Sequence, residues 1–543
     1  MTAATLTAPA PNSAPRPAGS EQLAGTGTLL RLALRRDRVM MPVWVLVLGG
    51  SFASVARSFG TLYDTDAKRD ELARSMSGNS SLRALYGPVF NDSVGGLTTW
   101  RMIGFGAALA AVMSLVIVVR HTREEEETGR QELLSSAMVG RRAPLTAALL
   151  AAAVANVALA LVITAGMAGS AGSAGSALAL GLTVAGVGML FACTAAIAAQ
   201  FTESARLAKG LTGAAIGAAF VLKAAGDASS TDGSSVLTWL SPLGWAENVK
   251  AYADDRWWVL LILLAAIAAE AVIAYTLAGR RDLGMSFLAT RPGPAQGRLG
   301  TAGALAWRLQ RGSLYGWTAA YLVCGVVFGG ITTGAADLVG DNEQAREIFE
   351  RMGGQAGLTE AFLATMVNML GLVAALYTVA SVLRLHSEET AQRAEPVLAN
   401  AVGRLRWAAG HLVIAFAGAA VLMLVGGAGL AIGYGHELGP VLGACLVQLP
   451  AIWVIGGIAV LLYGALPRAA AAAWGAAGLV LALGWIGPAL NVPQWLMDFS
   501  PFGHLPSLPG TAMTWTPVLL LAAMAAGLVT AGLAGLRRRD LTN

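Results

Sequence analysis

Two copies of one pattern of charged residues are the part of this sequence best suited to chemistry. Each copy opens with two adjacent glutamates and continues with an arginine, a third glutamate and a Gly-Arg pair. The copies comprise Glu125, Glu126, Arg130, Glu132, Gly140 and Arg141, then Glu388, Glu389, Arg393, Glu395, Gly403 and Arg404. The same interval of 263 residues separates each pair of matching positions. Because residues of both charges can pair with a complementary surface, the pattern predicts two docking points for a partner protein.

The spacing within each copy favours a helix at the protein surface. Glu126 precedes Arg130 by four residues, and Glu389 precedes Arg393 in the same way. A glutamate placed four residues before a basic residue stabilises a helix by a few tenths of a kcal/mol. The alternative is a solvated loop that only anchors two helices. Anchoring alone would not require the same glutamate, arginine and glycine positions twice, so we favour docking.

The composition assigns the chain to the membrane proteins. Of its 543 residues, 55% are hydrophobic and 13% are charged, whereas soluble domains average about 25% charged residues. Many apolar runs reach the roughly 20 residues that span a bilayer as a helix. Because a bilayer offers the backbone no hydrogen bonds, these long runs predict an all-α polytopic membrane protein. The formal net charge of +5 comes mostly from short loops, as in other membrane proteins, and does not indicate a nucleic-acid partner.

The apolar runs predict about 12 transmembrane helices. They lie at about 39–57, 101–119, 144–168, 177–200, 210–225 and 257–278, and then at about 314–334, 361–383, 407–433, 440–465, 470–488 and 516–536. Arginines cluster before the first run and after the second, whereas the loop at about 489–515 has no Lys or Arg. Positive residues favour the cytoplasmic side. We therefore expect a multi-pass protein of the plasma membrane with both termini in the cytoplasm.

The repeat extends over most of the chain. Further matches join Arg35, Arg38 and Trp44 to Arg308, Arg311 and Trp317, Ser241-Pro242 to Ser500-Pro501, and Arg280-Arg281 to Arg538-Arg539. Six spans in each half make the two repeats parallel, and we expect them to form a pseudo-dimer with a central path. The predicted organisation is a disordered tail at 1–27, a first half at 28–290, a linker at 291–304 and a second half at 305–543.

Two kinds of segment flank the first span of each half. A basic amphipathic stretch precedes it, at 29–38 and 305–311, and is expected to form a helix in the inner interface. An acidic segment follows it, at 66–76 and 341–352, and is expected to form a short outer helix. These outer segments either contribute to an exit or only close a loop.

A few residues within the spans are candidates for a substrate path. Glu270 lies in mid-span, where an ionisable group is costly and often functional, although it could equally be protonated and bonded to a neighbouring helix. Lys223 is expected to extend towards the outer interface. Asn156, Asn368 and His411 are expected to bond between helices. Soft side chains that suit either apolar ligands or ordinary packing are Met102, Phe105, Met113, Phe362, Met366 and Met369.

The charged loop after the second span resembles the coupling helix of ABC-2 type exporter permeases. It reads Arg123-Glu124-Glu125-Glu126, then Thr128-Gly129-Arg130-Gln131-Glu132-Leu133-Leu134. In that family this loop docks on the ATPase subunit. The fused twelve-span form is similar to actinobacterial permeases that export polyketide antibiotics, including tetronasin-type exporters. In the second copy Gln392 replaces Gly129 and Pro396 replaces Leu133, which implies a weaker or asymmetric second docking site.

No ATP site is evident in the sequence. No segment reads Gly-x-x-x-x-Gly-Lys-Ser/Thr, and no stretch between the apolar runs is long enough for an ATPase domain. The resemblance therefore implies a separate ABC ATPase subunit, in two copies, which holds the ATP and Mg²⁺, while this chain has no cofactor. The five histidines are scattered, and Cys193, Cys324 and Cys445 lie inside apolar runs, so neither a metal site nor a catalytic group is expected.

These features predict the permease subunit of an ATP-driven exporter of hydrophobic compounds such as polyketide antibiotics or drugs. An ion-coupled multidrug antiporter is the first alternative, but it should show several intramembrane acids and inverted repeats. A polytopic membrane enzyme should show converging Asp, Glu or His residues on its outer loops. Lipid flipping and a scaffold role also stay open.

Overall fold

The computed structural model describes residues 22–78, 80–130, 139–281, 284–288, 299–332, 358–435, 438–485 and 493–540. In these ranges the chain is built of α-helices and short 3-10 turns, and no strand occurs among them. The chain forms two compact units, Met1–Pro292 (unit 1) and Gly293–Asn543 (unit 2). The prediction of an all-α polytopic membrane protein is confirmed.

Unit 1 contains the first twelve helices of the described residues. They are α1 (Thr26–Arg36), α2 (Met40–Leu62), α3 (Asp66–Gly78), α4 (Ser80–Tyr86), α5 (Val94–His121), α6 (Arg123–Glu127), α7 (Ala143–Ala171), α8 (Ala174–Phe201), α9 (Ala205–Ser229), α10 (Val236–Leu240), α11 (Pro242–Asn248) and α12 (Trp257–Arg280).

Unit 2 contains the remaining helices of the described residues. They are α13 (Ala302–Thr332), α14 (Leu358–Thr390), α15 (Glu395–Leu398), α16 (Arg404–Tyr434), α17 (Leu438–Val447), α18 (Leu449–Ala465), α19 (Ala472–Trp485), α20 (Gln494–Met497) and α21 (Trp515–Arg538), with 3-10 turns at Pro467–Ala469 and Pro501–His504.

Eleven helical segments in the described part of the chain are long and apolar enough to cross a membrane, with α5–α6 and α17–α18 each counted as one. Six belong to unit 1 and five to unit 2. For the span predicted at 470–488, the described residues contain the apolar helix Ala472–Gly484, and residues 486–492 lie outside the described ranges. The described part of the chain thus has a long apolar helix at eleven of the predicted spans and a shorter apolar helix at the remaining one.

Glycines bring α13 and α16 into close contact in unit 2. Gly325 and Gly329 lie one helical turn apart on α13, and Gly429 and Gly433 lie one turn apart on α16. A Cβ added at any of the four would clash with the backbone of the opposite helix. Small residues at this spacing let two membrane helices approach closely. Substitution here would separate α13 from α16.

The two basic amphipathic stretches do not fold alike. The first forms a separate helix, α1, which ends before Asp37, because Asp37 leaves the helical conformation. The buried carboxylate of Asp37 pairs with Arg120 at 2.8 Å and with His121 at 2.6 Å. The second, at 305–311, is continuous with the following span in α13. Gln310, which matches Asp37 in the repeat, stays helical and bonds His411 at 2.8 Å. The expectation of a separate interfacial helix in the second half was therefore wrong.

The acidic outer segment of the first half is helical, as predicted. The range 66–76 lies within α3. Its ion pairs are local, for example Lys68 with Asp64 at 2.9 Å, and both of these side chains are exposed. The matching segment at 341–352 lies outside the described residues.

Candidate functional site

In unit 1 the charged loop is fastened to the end of the last helix. The carboxylate of Glu126 accepts two hydrogen bonds from the guanidinium of Arg281, at 2.6 and 2.8 Å. Arg123, which is buried, also pairs with Glu126 and donates to the carbonyl oxygens of Thr202 and Met285. Paired, planar contacts of this kind fix direction as well as distance. The loop after α5 is therefore held against the residue that follows α12.

The first glutamate of the same loop faces α1. Glu125 pairs with Arg36, the last residue of α1, and lies 3.7 Å from a guanidinium nitrogen of Arg130. The backbone N–H of Gly140 donates to the carbonyl oxygen of Ala24 at 2.9 Å. Both ends of the loop thus contact the segment that precedes the first span.

Unit 2 fastens its loop in the same way with a partly different set of residues. Glu389 accepts two hydrogen bonds from Arg539, at 2.6 and 2.7 Å, and one from the hydroxyl of Tyr463 at 2.7 Å. Glu388 pairs with Arg384 at 2.6 Å and with Arg393 at 3.0 Å. The second glutamate again holds the end of the last helix, here α21.

A second contact strengthens this attachment in both units. Arg141 donates to the carbonyl oxygen of Arg281 at 2.7 Å, and Arg404 donates to that of Arg539 at 2.5 Å. Each terminal arginine is therefore held through its guanidinium by a glutamate and through its carbonyl by the arginine of the Gly-Arg pair. We call this arrangement of three hydrogen bonds in each unit the loop clamp.

The backbone turns alike in the two loops. Gly129 has φ 71° and Gln392, its match in the repeat, has φ 56°. Their N–H groups donate to the carbonyl oxygens of Glu126 at 3.0 Å and Glu389 at 2.9 Å. A left-handed residue that ends a helix is usually glycine. The replacement of glycine by Gln392 in the second loop thus preserves the turn, but it places a residue other than glycine in the strained left-handed conformation.

The clamp decides which predicted docking residues are accessible. The side chains of Glu126 and Glu389 are only 8% and 2% exposed, whereas those of Arg130 and Arg393 are 58% and 57% exposed. Glu395 and Gly403 are also exposed. Glu132 lies outside the described residues. The glutamate pairs thus hold the loops in place, and the exposed arginines and Glu395 form the surface available to a partner.

The soft side chains proposed for a substrate path are mostly internal to their units. Met113, Phe362 and Met366 are buried, and Met102 and Met369 are half-buried. Phe105 is exposed at one edge and contacts the rings of Tyr86 and Phe220, with centroids 5.8 and 6.0 Å apart. The described contacts of these residues are those of packing within each unit.

Three polar residues within the spans bond between helices, whereas the side-chain oxygen of Asn368, for which the same was expected, has no partner among the described residues. Glu270 on α12 accepts a hydrogen bond from the hydroxyl of Thr194 on α8 at 2.8 Å. Asn156 on α7 donates to Ser114 on α5 at 2.8 Å, and His411 pairs with Gln310 as described above. These contacts match the structural alternative considered for Glu270.

A charged cluster within unit 1 was not anticipated. Lys223 on α9 is completely buried, and its Nζ lies 3.0 Å from Asp227 and 2.6 Å from Glu247 on α11. Asp227 also accepts a hydrogen bond from Thr238 at 2.8 Å. The expectation that Lys223 extends to the interface was wrong, because these two carboxylates compensate its charge inside the unit. The spacing of Lys223 and Asp227, four residues apart in an apolar helix, was the sequence signal for this pair.

Within the described ranges, no group of three or more His, Cys, Asp or Glu residues could hold a metal ion. The three cysteines are unpaired there.

The fold and the paired loop clamps define a polytopic helical membrane protein with two related units. The profile of the family described as multidrug efflux system permease Rv1217c, C-terminal domain, matches residues 27–281 and 299–537. The chain is also 42% identical to the multidrug efflux system permease protein Rv1217c of Mycobacterium tuberculosis over 547 aligned residues, which cover 97% of this chain and 98% of that protein. The chain therefore belongs to the Rv1217c family of permeases. The closer resemblance to ABC-2 and tetronasin-type exporters stays a prediction.

Proposed function

We propose that this chain is the membrane subunit of an ATP-driven exporter of hydrophobic, drug-like compounds, with polyketide antibiotics among its substrates. The observation that carries the proposal is the loop clamp, which occurs in both units. It fixes a charged loop to the last helix of the unit and leaves an arginine exposed beside it. Export of drugs is supported by the relative that is 42% identical to this chain, which is a multidrug efflux system permease protein.

The clamp suits a loop that transmits force. In unit 1 the loop continues from α5 and is bonded to the end of α12, so a push on the loop moves both helices together. In unit 2 the corresponding helices are α14 and α21. A bidentate ion pair resists rotation better than a single contact does. Closure of an ATPase beneath the loops would therefore tilt the second and last spans of each unit.

The energy source in this proposal is a separate subunit. Two ATPase copies bind ATP and Mg²⁺, one under each loop, on the cytoplasmic side of the plasma membrane where both termini lie. Arg130 and Arg393 are the cations offered to acidic residues of these subunits. The second loop differs in its strained turn at Gln392 and in the Tyr463 hydroxyl that takes part in its clamp. We therefore expect the two docking sites to differ in affinity.

Co-purification tests the docking step directly. The tagged chain is co-expressed with ABC ATPase subunits of its source organism and purified in detergent. One ATPase should co-purify, and the chain alone should hydrolyse no ATP. Reversal of the exposed charges in Arg130→Glu and Arg393→Glu should lower ATPase recovery, most strongly when the two are combined. Arg74→Glu, which changes an exposed arginine on the outer helix α3, is the matched control. Unchanged recovery in the double variant, or ATP hydrolysis by the chain alone, would refute the proposal.

One observation favours a second candidate, an ion-coupled antiporter. Lys223, Asp227 and Glu247 form a buried cluster that contains more acid than base, and antiporters need buried acids that exchange protons. Transport driven by an imposed proton gradient in vesicles without ATP would support that candidate. Transport that requires ATP and persists after the gradient is collapsed would support the exporter.

A further inference from the structure

Unit 2 contains a polar cavity at the end opposite its loop clamp. The volume is about 130 Å³, far above the roughly 10–15 Å³ that one water needs. The described lining includes Asn368 on α14, Gln448 between α17 and α18, and Ser500 before the 3-10 turn at Pro501–His504. Phe502 and Leu505 supply apolar wall. The cavity is thus both roomy and mixed in character.

Three polar atoms of the lining have no partner within the described residues. They are Asn368 Oδ1, Gln448 Oε1 and Ser500 Oγ, each shielded from solvent. The whole side chains of Gln448 and Ser500 belong to residues that are only 5% and 3% exposed. Leaving a buried polar atom unsatisfied costs about 1–3 kcal/mol. These three atoms are therefore the polar groups of the wall that a bound molecule could satisfy.

The matching region of unit 1 is not built in this way. Phe105 occupies the repeat position of Asn368, and its ring packs against Tyr86 and Phe220. Ser241 matches Ser500, but its hydroxyl donates to the carbonyl oxygen of Ala219 at 2.6 Å. The side chains at these two repeat positions therefore differ between the units in type or in hydrogen bonding, and in unit 1 neither of them has an unsatisfied polar atom facing a cavity.

The backbone at the cavity is interrupted. The span of α17 and α18 breaks at Gln448, and Pro450 begins the second segment. Proline cannot donate a backbone hydrogen bond, so it breaks the helical hydrogen-bond ladder at this point. Broken membrane helices are tolerated where they are buried in protein or line a cavity. The break places the Gln448 side chain at the wall of the cavity.

The lining also restricts the charge of a ligand. Among the described lining residues there is no Asp, Glu, Lys, Arg or His. A buried ion without a compensating charge is strongly disfavoured, whereas hydroxyl and carbonyl groups can satisfy the amide and hydroxyl groups of the wall. The cavity therefore favours neutral, oxygen-bearing groups attached to an apolar body.

We propose that this cavity binds the hydroxyl- and carbonyl-bearing end of a neutral hydrophobic export substrate, through Asn368, Gln448 and Ser500. The proposal rests on the export function proposed above and specifies its substrate class. Because α14 runs from Asn368 to the charged loop at Thr390, ligand at one end and ATPase at the other contact the same helix.

Equilibrium binding to the full chain in lipid nanodiscs, without ATPase or ATP, tests this site. The probe is the tritiated neutral macrolactone erythronolide B, which carries hydroxyl and ketone groups on an apolar ring. The wild type should bind it saturably. Gln448→Leu and Asn368→Leu should each weaken binding by about tenfold, which is the effect of losing one buried hydrogen bond of about 1.4 kcal/mol. Ser500→Ala should weaken it as well.

Thr378→Val is the matched control. Thr378 is a buried polar residue on the same helix, but its hydroxyl bonds to its own helix at Ala374, away from the cavity. The Thr378→Val variant should bind the probe with the same affinity as the wild type. Thermal unfolding of each variant in nanodiscs establishes that it is folded. Absence of saturable binding by the wild type would overturn the proposal. So would leucine variants that stay folded and bind unchanged, because the cavity then holds only water. Failure of ATP coupling would leave this measurement unaffected, so the two proposals fail separately.

Discussion

In unit 2 the carboxylate of Glu389 and the guanidinium of Arg539 form a bidentate ion pair, with nitrogen–oxygen distances of 2.6 and 2.7 Å. Glu126 and Arg281 form the same pair in unit 1, at 2.6 and 2.8 Å. The glutamates are 263 residues apart in the sequence, whereas the arginines are 258 apart. Both units therefore form this ion pair although the segment between its two residues has a different length, 155 residues in unit 1 and 150 in unit 2. The pair thus fixes the charged loop of each unit to the last helix of that unit.

Breaking this pair should destabilise unit 2. Glu389→Gln removes the negative charge that compensates Arg539, and an uncompensated buried partner typically costs about 3–5 kcal/mol. We expect a lower melting temperature in detergent for Glu389→Gln, and less further loss in the double variant Glu389→Gln with Arg539→Gln, since the two residues act as one pair. Glu395→Gln, an exposed glutamate of the same loop, should melt like the wild type. Additive losses in the double variant would contradict the clamp.

The left-handed turns predict opposite effects of removing glycine from the first loop and introducing glycine into the second. Gly129→Ala should destabilise unit 1 by about 1 kcal/mol, because an L-residue pays to enter the left-handed region. None of the described residues lies within 4 Å of a Cβ added at Gly129, so none of them would clash with it. Gln392→Gly should stabilise unit 2 by up to about 1 kcal/mol, since relief of strain outweighs the added chain entropy. Denaturant unfolding in detergent measures the change in the free energy of unfolding for both variants. Changes of the same sign would show that the two turns are not equivalent.

The buried cluster in unit 1 should be sensitive to the loss of its cation and tolerant of the loss of one acid. Lys223→Met leaves two carboxylates facing each other without compensation, and we expect a loss of about 3–5 kcal/mol. Glu247→Gln keeps the size of the side chain and removes the surplus negative charge, so it should cost little. Melting curves of the two variants in detergent should therefore differ clearly. Comparable losses in both would mean that all three charges are needed together.

The same cluster has a defined pH dependence. Burial raises the pKa of Glu247 well above its ordinary value, and the nearby Lys223 only partly opposes this shift. A carboxyl group with a raised folded-state pKa stabilises the fold fully below the ordinary value of about 4.3, and this contribution is lost as the pH rises through the folded value. The melting temperature of the wild type should fall over that range relative to Glu247→Gln. A parallel pH profile of the two proteins would exclude a proton on Glu247.

Glu270 should be dispensable for most transport. Glu270→Gln preserves the size of the side chain and its ability to accept a hydrogen bond from Thr194, which is the contact observed. We expect nearly unchanged export of neutral substrates by this variant in vesicles. Selective loss for cationic substrates would instead indicate that Glu270 contacts the transported molecule. Loss for all substrates, together with sensitivity to a protonophore at constant ATP, would favour the antiporter.

The spans and the repeated charged pattern could be predicted from the sequence because both depend on local composition and spacing. The partners of the glutamates could not, because Arg281 and Arg539 follow them by 155 and 150 residues. For the same reason Glu126 and Glu389, which were expected on the docking surface, are buried in the clamp. Glu247 reaches Lys223 only because the segment 230–241, which contains α10, returns the chain so that α11 packs against α9. Long-range pairing of charges in these units is decided by how the helices pack.

Uptake into inverted proteoliposomes tests the proposed export most directly. The chain is reconstituted with its ATPase, and accumulation of tritiated erythronolide B, the neutral probe used above, is followed with ATP, without ATP, and with ATP plus a protonophore. Uptake should require both subunits and ATP, persist when the proton gradient is collapsed, and fall in the Arg130→Glu and Arg393→Glu double variant. Uptake by the chain alone under an imposed proton gradient, with no response to ATP or to the ATPase, would contradict an ATP-driven exporter.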